Sequence, residues 1–318
     1  MKKRNRKRAF LARNPRRRLQ RAGRGSTRRK SPVTVISPQN FSLINNAKEV
    51  LGFFSKAKTY LDKKKNVILD FSQIDMITPD AIVLLLAKVT DRRYTNSMQV
   101  FGIRSRNPEI DKIFRSSGFY KIINLEKTSS DHGAIHTKQN TVVDTKIAAE
   151  VRKLTAKKTF GDDIMLHPLY RTLIECMANT KQHAKGKSDK DETWWLAVFH
   201  NEDTKITSFS FIDTGIGIFK SARIKSFTKF AVNLGIRSNI DVLKRLLAGK
   251  LLSSTGLKHR GKGIPKIYTD FKNYHIHNLH IIANDVFANL GNGTFIEMEE
   301  PLNGTFYYWE IIPDNMKN

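Results

Sequence analysis

The sequence predicts a mixed α/β protein in which two folded domains follow a basic, disordered N-terminal tail. Three observations lead to this prediction. The chain has 318 residues, of which 40% are hydrophobic, and a chain of this length forms about two domains with cores of ordinary size. From residue 33 onward, short apolar runs alternate with amphipathic segments of helical period. The first 30 residues, by contrast, hold 15 lysines and arginines and no acidic residue.

The predicted tail covers residues 1–32. Its charge of +15 is more than half of the formal net charge of +27, and the remaining +12 is spread over the rest of the chain. Phe10, Leu11 and Leu19 are its large apolar residues, too few to offset the entropy of ordering. Two interpretations stay open: an arm that binds nucleic acid or anionic lipid in a salt-dependent way, or a solubilising segment. An arginine-rich, acid-free start is also typical of an organellar transit peptide.

The cysteine content and the length of the apolar runs indicate the compartment. Cys176 is the single cysteine, which excludes an intramolecular disulfide framework and favours a reducing environment. The longest apolar stretches fall far short of the ~20 residues that a helix needs to cross a bilayer. We therefore expect a cytoplasmic protein without a membrane span.

Residues 33–125 are predicted to form the first domain, a sheet with helices packed on it. The run 66–71 is nearly all apolar, as a strand buried on both faces is. Thr78 and Pro79 predict a helix start, with a capping hydroxyl followed by a proline in the first turn, and Gly118 predicts a helix end. The predicted strands are 33–37, 66–71 and 98–103, and the predicted helices are 41–61, 78–89 and 108–116.

Two segments of this domain carry a family resemblance, VILDFSQIDMITPDAIVLLL and IDKIFRSSGFYKII. Together they resemble the STAS domain, the fold of the anti-sigma-factor antagonists. In those antagonists, a partner kinase phosphorylates a serine at the start of the helix, and Asp80 stands at that position here, with Thr78 just before it. Two interpretations of Asp80 stay open. It is either a permanent negative charge near a helix N-terminus or a structural acid in the first helical turn.

A polar segment without a sustained period, residues 126–150, predicts a linker before a second domain at residues 151–318. Pro168 opens a helix on which Glu175, Asn179 and His183 share one stripe, because they are four residues apart. Two strands are predicted next, at 193–200 and 205–213, and the polar turn between them indicates a hairpin.

Two glycine-rich elements follow in the second domain. The second strand of the hairpin runs into Asp213-Thr214-Gly215-Ile216-Gly217, where the glycines allow a tight turn and close approach to a ligand, and Asp213 offers an acceptor for an exocyclic amine. Further on, Arg260-Gly261-Lys262-Gly263 leads into an apparent helix. Glycine amides at a helix start, together with this positive charge, predict a site for an anion such as phosphate.

The order of these motifs resembles the GHKL ATPases, the superfamily of gyrase, MutL and the histidine kinases, which has the Bergerat ATP-binding fold. The resemblance covers 151–318: a helix with ExxxNxxxHA, a strand with DxGxG, a long lid at 218–260, GxGIP, and a terminal pair of strands. The helix motif is especially close to that of the anti-sigma-factor serine kinases. A two-component histidine kinase is not expected, because those kinases usually lack an acid at the position of Glu175.

The resemblance implies a role for each matching residue. Asn179 would be the Mg2+ ligand, and Glu175 would be the catalytic carboxylate that activates the attacking nucleophile. Asp213 would hold the amino group of adenine. The remaining ATP-binding residues implied by the resemblance are Gly215 and Gly217 on the adenine side, Gly261 and Gly263 around the phosphates, and Thr305 at the base pocket. Arg260 and Lys262 are predicted to bind the phosphates because of their positive charge beside these glycines.

The predicted function is that of an intracellular regulatory protein that binds Mg-ATP in its second domain. Lid closure would pass the nucleotide state to the STAS-like domain or to a bound protein partner. Two alternatives stay open: a protein serine/threonine kinase or slow ATPase, and a nucleic-acid-associated, ATP-gated factor that uses the basic tail. Many relatives form homodimers through the ATPase domain, and the sequence leaves the oligomeric state open.

Overall fold

The structure of the protein is a computed structural model that describes residues 31–123, 135–183, 193–219, 238–250 and 263–316. The chain has a mixed α/β fold, and its described residues divide between His136 and Thr137 into two compact units. The basic segment at residues 1–30 lies outside the described residues. In the part of the chain that the structure describes, no helix has the length and apolar character needed to span a membrane.

The first unit is built on a small parallel sheet in the order β1-β3-β5. Its central strand is β3, which explains why that segment is almost entirely apolar. A second, two-stranded sheet pairs β2 with β4. In chain order the elements are β1 Val33–Ile36, β2 Asn40–Phe41, α1 Ala47–Asp62, β3 Val67–Asp70, β4 Met76–Ile77, α2 Pro79–Thr90, α3 Arg92–Thr95, β5 Val100–Ile103, α4 Pro108–Ser116 and α5 Phe119–Ile122.

An aromatic cluster forms much of the core of this unit. Phe71, which follows β3, packs against Phe41 and against Phe114 of α4, with ring centroids 5.9 and 4.9 Å apart. Phe53 of α1 and Phe119 of α5 extend the cluster on either side. Since these rings come from three helices, from strand β2 and from the residue after β3, they hold the alternating strands and helices together as one core.

Asp80 lies in the first turn of α2, and its carboxylate points into the protein. The residue is 2% exposed, and its Oδ2 atom accepts hydrogen bonds from the backbone amide of Ile44 at 2.9 Å and the hydroxyl of Ser42 at 3.4 Å. Burial raises the pKa of Asp80, while hydrogen bonds from Thr78 and Ile44 act in the opposite direction. This geometry supports the structural interpretation of Asp80, because a partner protein can recognise a charge only if that charge is accessible.

The second unit is built on a five-stranded sheet in the order β6-β7-β8-β10-β9. The pairs β7–β8, β8–β10 and β10–β9 are antiparallel. Its elements are β6 Ile135–Asn140, α6 Thr145–Phe160, α7 His167–His183, β7 Trp194–His200, β8 Thr207–Asp213, α8 Asn239–Leu247, α9 Gly263–Lys272, β9 His277–Asn289, β10 Thr294–Ile311 and a 3-10 helix at Pro313–Met316.

The segment predicted as a linker, 126–150, differs from that expectation. Its second half contains strand β6 and the start of helix α6, and the side chain of Asp144 caps this helix by accepting from the amides of Lys146 and Ile147. Strand β6 lies at the edge of the sheet. An edge strand can be polar because much of it faces water, so its composition resembles that of a linker.

One face of this sheet carries the helices, and the strand register determines which side chains lie on that face. Phe211 of β8 pairs with Tyr307 of β10, and both belong to the core cluster that includes Leu173 of α7 and Ile267 of α9. Side chains two residues apart on a strand share a face. The side chain of Asp213 therefore lies on the helix-covered face, at the end of β8.

The buried carboxylate of Asp80 yields a stability prediction. Asp80→Asn keeps the size of the side chain and an acceptor for Ile44 but removes the ionisable group. Since burial raises the pKa of Asp80 in the folded state, the ionised form is disfavoured at neutral pH, and the native state gains stability as pH falls through that raised pKa. We expect the variant to unfold at an equal or higher temperature than the unaltered protein at neutral pH, with the difference shrinking on acidification, in thermal unfolding followed by circular dichroism.

The control for this prediction is Asp80→Leu. Leucine offers no acceptor, so the buried amide of Ile44 loses its partner and the free energy of unfolding should fall by about 1–3 kcal/mol. If Asp80→Asn were clearly less stable than the unaltered protein at neutral pH, the negative charge itself would be required, and the structural interpretation would be wrong.

Candidate functional site

Helix α7 carries the polar stripe that the sequence predicts. Glu175 and Asn179 lie one turn apart, while Leu173 and Met177 are buried in the core. The amino group of the Asn179 amide is buried and makes no hydrogen bond of normal geometry among the described residues, although it lies close enough to the hydroxyl of Tyr307 to lower the pKa of that group. The side chain of His183, at the end of the helix, lies outside the described part of the chain. Buried polar groups are usually well paired, so the poorly satisfied amino group of Asn179 marks this stripe as a candidate ligand site.

The first residue of α9 lies directly against this stripe. A β carbon at Gly263 would lie 3.0 Å from Oε2 of Glu175 and 3.0 Å from Oδ1 of Asn179. Contacts of that length are tighter than normal packing, so the absence of a side chain allows the backbone of α9 to approach both polar groups. The structure therefore brings together three residues of the predicted site that are up to 88 positions apart in the sequence.

Helix α9 is attached to α7 by two polar contacts in antiparallel order. Near its start, Nζ of Lys266 lies 2.7 Å from Oε1 of Glu175. One turn later, Asp270 forms an ion pair with Arg171 and accepts a hydrogen bond from the hydroxyl of Thr172. Asp270 is 1% exposed, and a buried carboxylate is stable only when it is paired in this way. This contact fixes the position of Gly263 beside α7.

Asp213 forms the second part of the predicted site, at the end of β8. It is 6% exposed, and its Oδ1 atom accepts a hydrogen bond of 2.8 Å from the amide of Gly215. Thr305 of β10 lies directly opposite and is also buried. The preceding residue, Gly304, has a φ of +108°, and a β carbon there would overlap the carbonyl oxygen of Asp213. Close approach of β8 and β10 at this end therefore requires a glycine.

Tyr307 and Cys176 connect the two parts of the site. Burial raises the pKa of the Tyr307 hydroxyl well above its usual value, Cys176 and Asp213 act in the same direction, and the amide of Asn179 opposes them. Burial also raises the pKa of the Cys176 thiol, with further contributions from the negative charges of Glu175 and Asp213. Both groups are therefore protonated at neutral pH, and Cys176 is not an activated nucleophile.

The glycine turn after β8 rests on a side chain of β9. Gly217 has a φ of +82°, and a β carbon there would overlap the side-chain amide of Asn284. The amino group of Asn284 donates to the carbonyl of Ile216 at 3.2 Å, while its Oδ1 atom is buried with no hydrogen-bond partner in the described ranges. Asn284 itself has a φ of +49°. It lies where the register between β9 and β10 shifts, so an irregularity of the sheet supports this turn.

The structure therefore brings Glu175, Asn179 and Gly263 together, and it pairs Asp213 with Thr305. The predicted residues Arg260, Gly261 and Lys262 lie outside the described residues, as does most of the predicted lid, of which 218–219 and 238–250 are described.

Sequence reasoning missed three side chains of this region. Tyr307 could have been found, since it lies two residues after Thr305 on the same strand and so shares its face. Lys266 follows Gly263 by about one helical turn, which gives it a weaker signal. Asn284 is marked only by an Asn-Asp pair inside an apolar strand.

The polar groups of the site fit a ligand that has an amine at one end and a metal-bound anion at the other. A carboxylate such as Asp213 accepts hydrogen bonds from an amine. The amide oxygen of Asn179 is a hard ligand suited to Mg2+, an ion that usually takes only one or two protein ligands and completes its shell with water and phosphate oxygens. Within the described residues, no group of three or more His, Cys, Asp or Glu side chains could hold a metal by itself.

Comparison with known proteins adds no relative. No protein-family model matches the chain. No curated protein is significantly similar to it.

The contact between Gly304 and Asp213 yields a test of the site's framework. Gly304→Ala places a methyl group on the carbonyl oxygen of Asp213, so β8 and β10 must separate. Gly293→Ala is the matched control, since Gly293 also has a positive φ, +72°, but no atom lies within 4 Å of its would-be β carbon. Backbone strain costs each variant about 1–2 kcal/mol, and we expect Gly304→Ala to be less stable by a further 1–3 kcal/mol in chemical denaturation. Equal losses would show that the close approach of the strands is not as described.

Proposed function

We propose that the second unit binds Mg-ATP between helix α7, the start of α9 and the ends of β8 and β10. On this proposal the chain is a cytoplasmic regulatory protein of the GHKL type, whose nucleotide state is passed to its STAS-like unit or to a protein partner. The observation that supports it most is the convergence of Glu175, Asn179 and Gly263 above the sheet face that carries Asp213 and Thr305. Sequence motifs alone predict all five of these residues as site residues.

Asp213 provides the specificity for the base. Its carboxylate is buried at the end of a central strand, and a buried acceptor favours a ligand that donates a hydrogen bond there. A carboxylate has about four acceptor positions, so it can receive the exocyclic amine of adenine in addition to the amide of Gly215. A guanine carbonyl at the same place would meet a second acceptor and be repelled.

The phosphates would lie at the other end of the site, near Asn179. Mg2+ held there by the amide oxygen of Asn179 would neutralise phosphate charge. The amides at the start of α9, beginning at Gly263, lie at the positive end of a helix dipole, which favours an anion. Glu175 is one turn from Asn179, so its carboxylate is placed to orient a water or hydroxyl nucleophile and accept its proton.

Enzymatic turnover is a second candidate function, and the acid at position 175 favours it. Phosphate transfer to water would make the protein a slow ATPase, and transfer to a hydroxyl would make it a serine/threonine kinase. The alternative of a nucleic-acid-associated factor depends on the basic tail, which lies outside the described residues, and it stays a prediction.

The first unit is proposed to act as a STAS-like partner or output module. Asp80 occupies the position where the antagonists carry a phosphorylated serine, and here it is buried and hydrogen-bonded. A carboxylate cannot form a stable phosphate ester at that place. Regulation through this unit would therefore depend on binding and not on phosphorylation at residue 80.

Replacement of Asp213 tests the base contact. In Asp213→Asn, the oxygen can still accept from Gly215, so the amino group is directed towards the adenine amine, and two donors oppose each other. We expect the affinity for Mg-ATP to fall about tenfold or more, as for loss of a charge-assisted hydrogen bond, in isothermal titration calorimetry. Asp203→Asn, in the exposed β7–β8 turn, should bind like the unaltered protein. No binding of Mg-ATP by the unaltered protein, or unchanged affinity of Asp213→Asn, would refute the proposal.

Replacement of Glu175 separates binding from turnover. Glu175→Gln removes the proton acceptor but keeps the size of the side chain, so nucleotide binding should persist while phosphate transfer falls about 100-fold or more. Labelled terminal phosphate should be followed both as free phosphate and on protein, because the first indicates an ATPase and the second a kinase. Glu150→Gln, on the exposed side of α6, is the matched control. A Glu175→Gln protein with full turnover would exclude the assigned role.

A further inference from the structure

Lys266 is an unassigned charged group beside the proposed phosphate end of the site. It lies one turn into α9, and its ammonium contacts Oε1 of Glu175 at 2.7 Å. The side chain of Lys266 is 48% exposed and that of Glu175 is 20% exposed. The other carboxylate oxygen of Glu175 lies against Gly263, next to the amide of Asn179. The ammonium is therefore hydrogen-bonded to one of the groups that would surround the terminal phosphate.

The Lys266–Glu175 ion pair is the weaker of the two polar contacts between α9 and α7. Helix α9 is anchored by Asp270, which is buried and bound by Arg171 and Thr172. Its apolar side is also part of the core. Half-exposed ion pairs contribute little to stability and are easily exchanged for other partners. Lys266 can therefore leave Glu175 while the rest of the α7–α9 contact stays intact.

The chemistry of the lysine side chain suits such an exchange. Its ammonium is a compact charge with three donors on a flexible stem, and phosphate is one of its preferred partners. A terminal phosphate carries more negative charge than a single carboxylate, so it competes well for the same ammonium. Exchange would also leave Oε1 of Glu175 available to a nucleophile.

We propose that Lys266 is the residue that distinguishes nucleoside triphosphates from diphosphates: it pairs with Glu175 when the site holds no terminal phosphate and binds that phosphate when it arrives. This inference rests on the proposed ATP site and adds its selectivity. The structural alternative is a surface ion pair with no role in binding. That alternative predicts the same affinity for both nucleotides with and without Lys266.

The experiment compares the full-length protein with Lys266→Met and with Lys272→Met. Lys272 is exposed at the end of the same helix, so its replacement removes the same charge without touching Glu175. Calorimetric titrations with Mg-ADP and with a non-hydrolysable Mg-ATP analogue give the two affinities. We expect Lys266→Met to bind the triphosphate about tenfold more weakly and the diphosphate unchanged, and Lys272→Met to bind both normally. Lys266→Arg, which keeps the charge, should retain most of the preference.

The outcomes separate this inference from the proposed function. If Lys266→Met lost affinity for both nucleotides equally, or kept full affinity for the triphosphate, the proposed role of Lys266 would be wrong and the proposed ATP site would be unaffected. If the unaltered protein bound neither nucleotide, the proposed site would fail and this inference with it. Circular dichroism of each variant identifies a loss of folding.

A second measurement tests the exchange itself. In Glu175→Gln the ammonium of Lys266 no longer has to break an ion pair with a carboxylate, so it should bind the terminal phosphate more strongly. Replacing Lys266 by Met should then cost more triphosphate affinity in the Glu175→Gln background than in the unaltered protein. Equal costs in the two backgrounds would show that Lys266 and Glu175 do not compete as proposed.

Discussion

The position of α9 on α7 is the constraint on which the proposed site depends. Asp270 is almost fully buried, and Arg171 and Thr172 satisfy its carboxylate. Removing the partner of a buried charge costs up to about 3–5 kcal/mol, since it leaves that charge uncompensated; the cost is smaller here because the Arg171 side chain is 45% exposed to water. With that contact fixed, helical geometry determines the rest: one turn along each helix, Lys266 meets Glu175, and the start of α9 reaches Asn179. A structural ion pair thus sets the geometry of the polar groups proposed to bind phosphate.

The sheet supplies a second, independent constraint. The side chains of Asp213 and Thr305 meet because β8 and β10 are antiparallel and in register at that point. A shift of one residue would turn Asp213 to the opposite face. Gly304 permits the close approach of the strands, and Gly217 lets the following turn rest on Asn284. Glycine is therefore required at these two positions for structural reasons, whatever the site binds.

Much of this arrangement could be predicted from the sequence, because it follows from local periodicity. The shared stripe of Glu175 and Asn179 follows from their spacing, and the strand that ends at Asp213 follows from its apolar run. What could not be predicted depends on tertiary contacts. A first-turn acid such as Asp80 has the same sequence signature whether it is buried or exposed, and the partner of Lys266 lies 91 residues away in another helix. The polar composition of the edge strand β6 concealed it within an apparent linker.

The distribution of charge along the proposed site favours one orientation of the proposed nucleotide. Asp213 lies at one end, Glu175 and Lys266 at the other, and Cys176 and Tyr307 interact with these groups while burial keeps both uncharged. A purine and its sugar are neutral apart from hydrogen-bonding edges, so they suit the uncharged part, with an amine directed at Asp213. The anionic phosphates need positive charge, which Lys266, the start of α9 and a metal at Asn179 would provide. The reverse orientation would place phosphate against the buried carboxylate of Asp213, where like charges repel strongly.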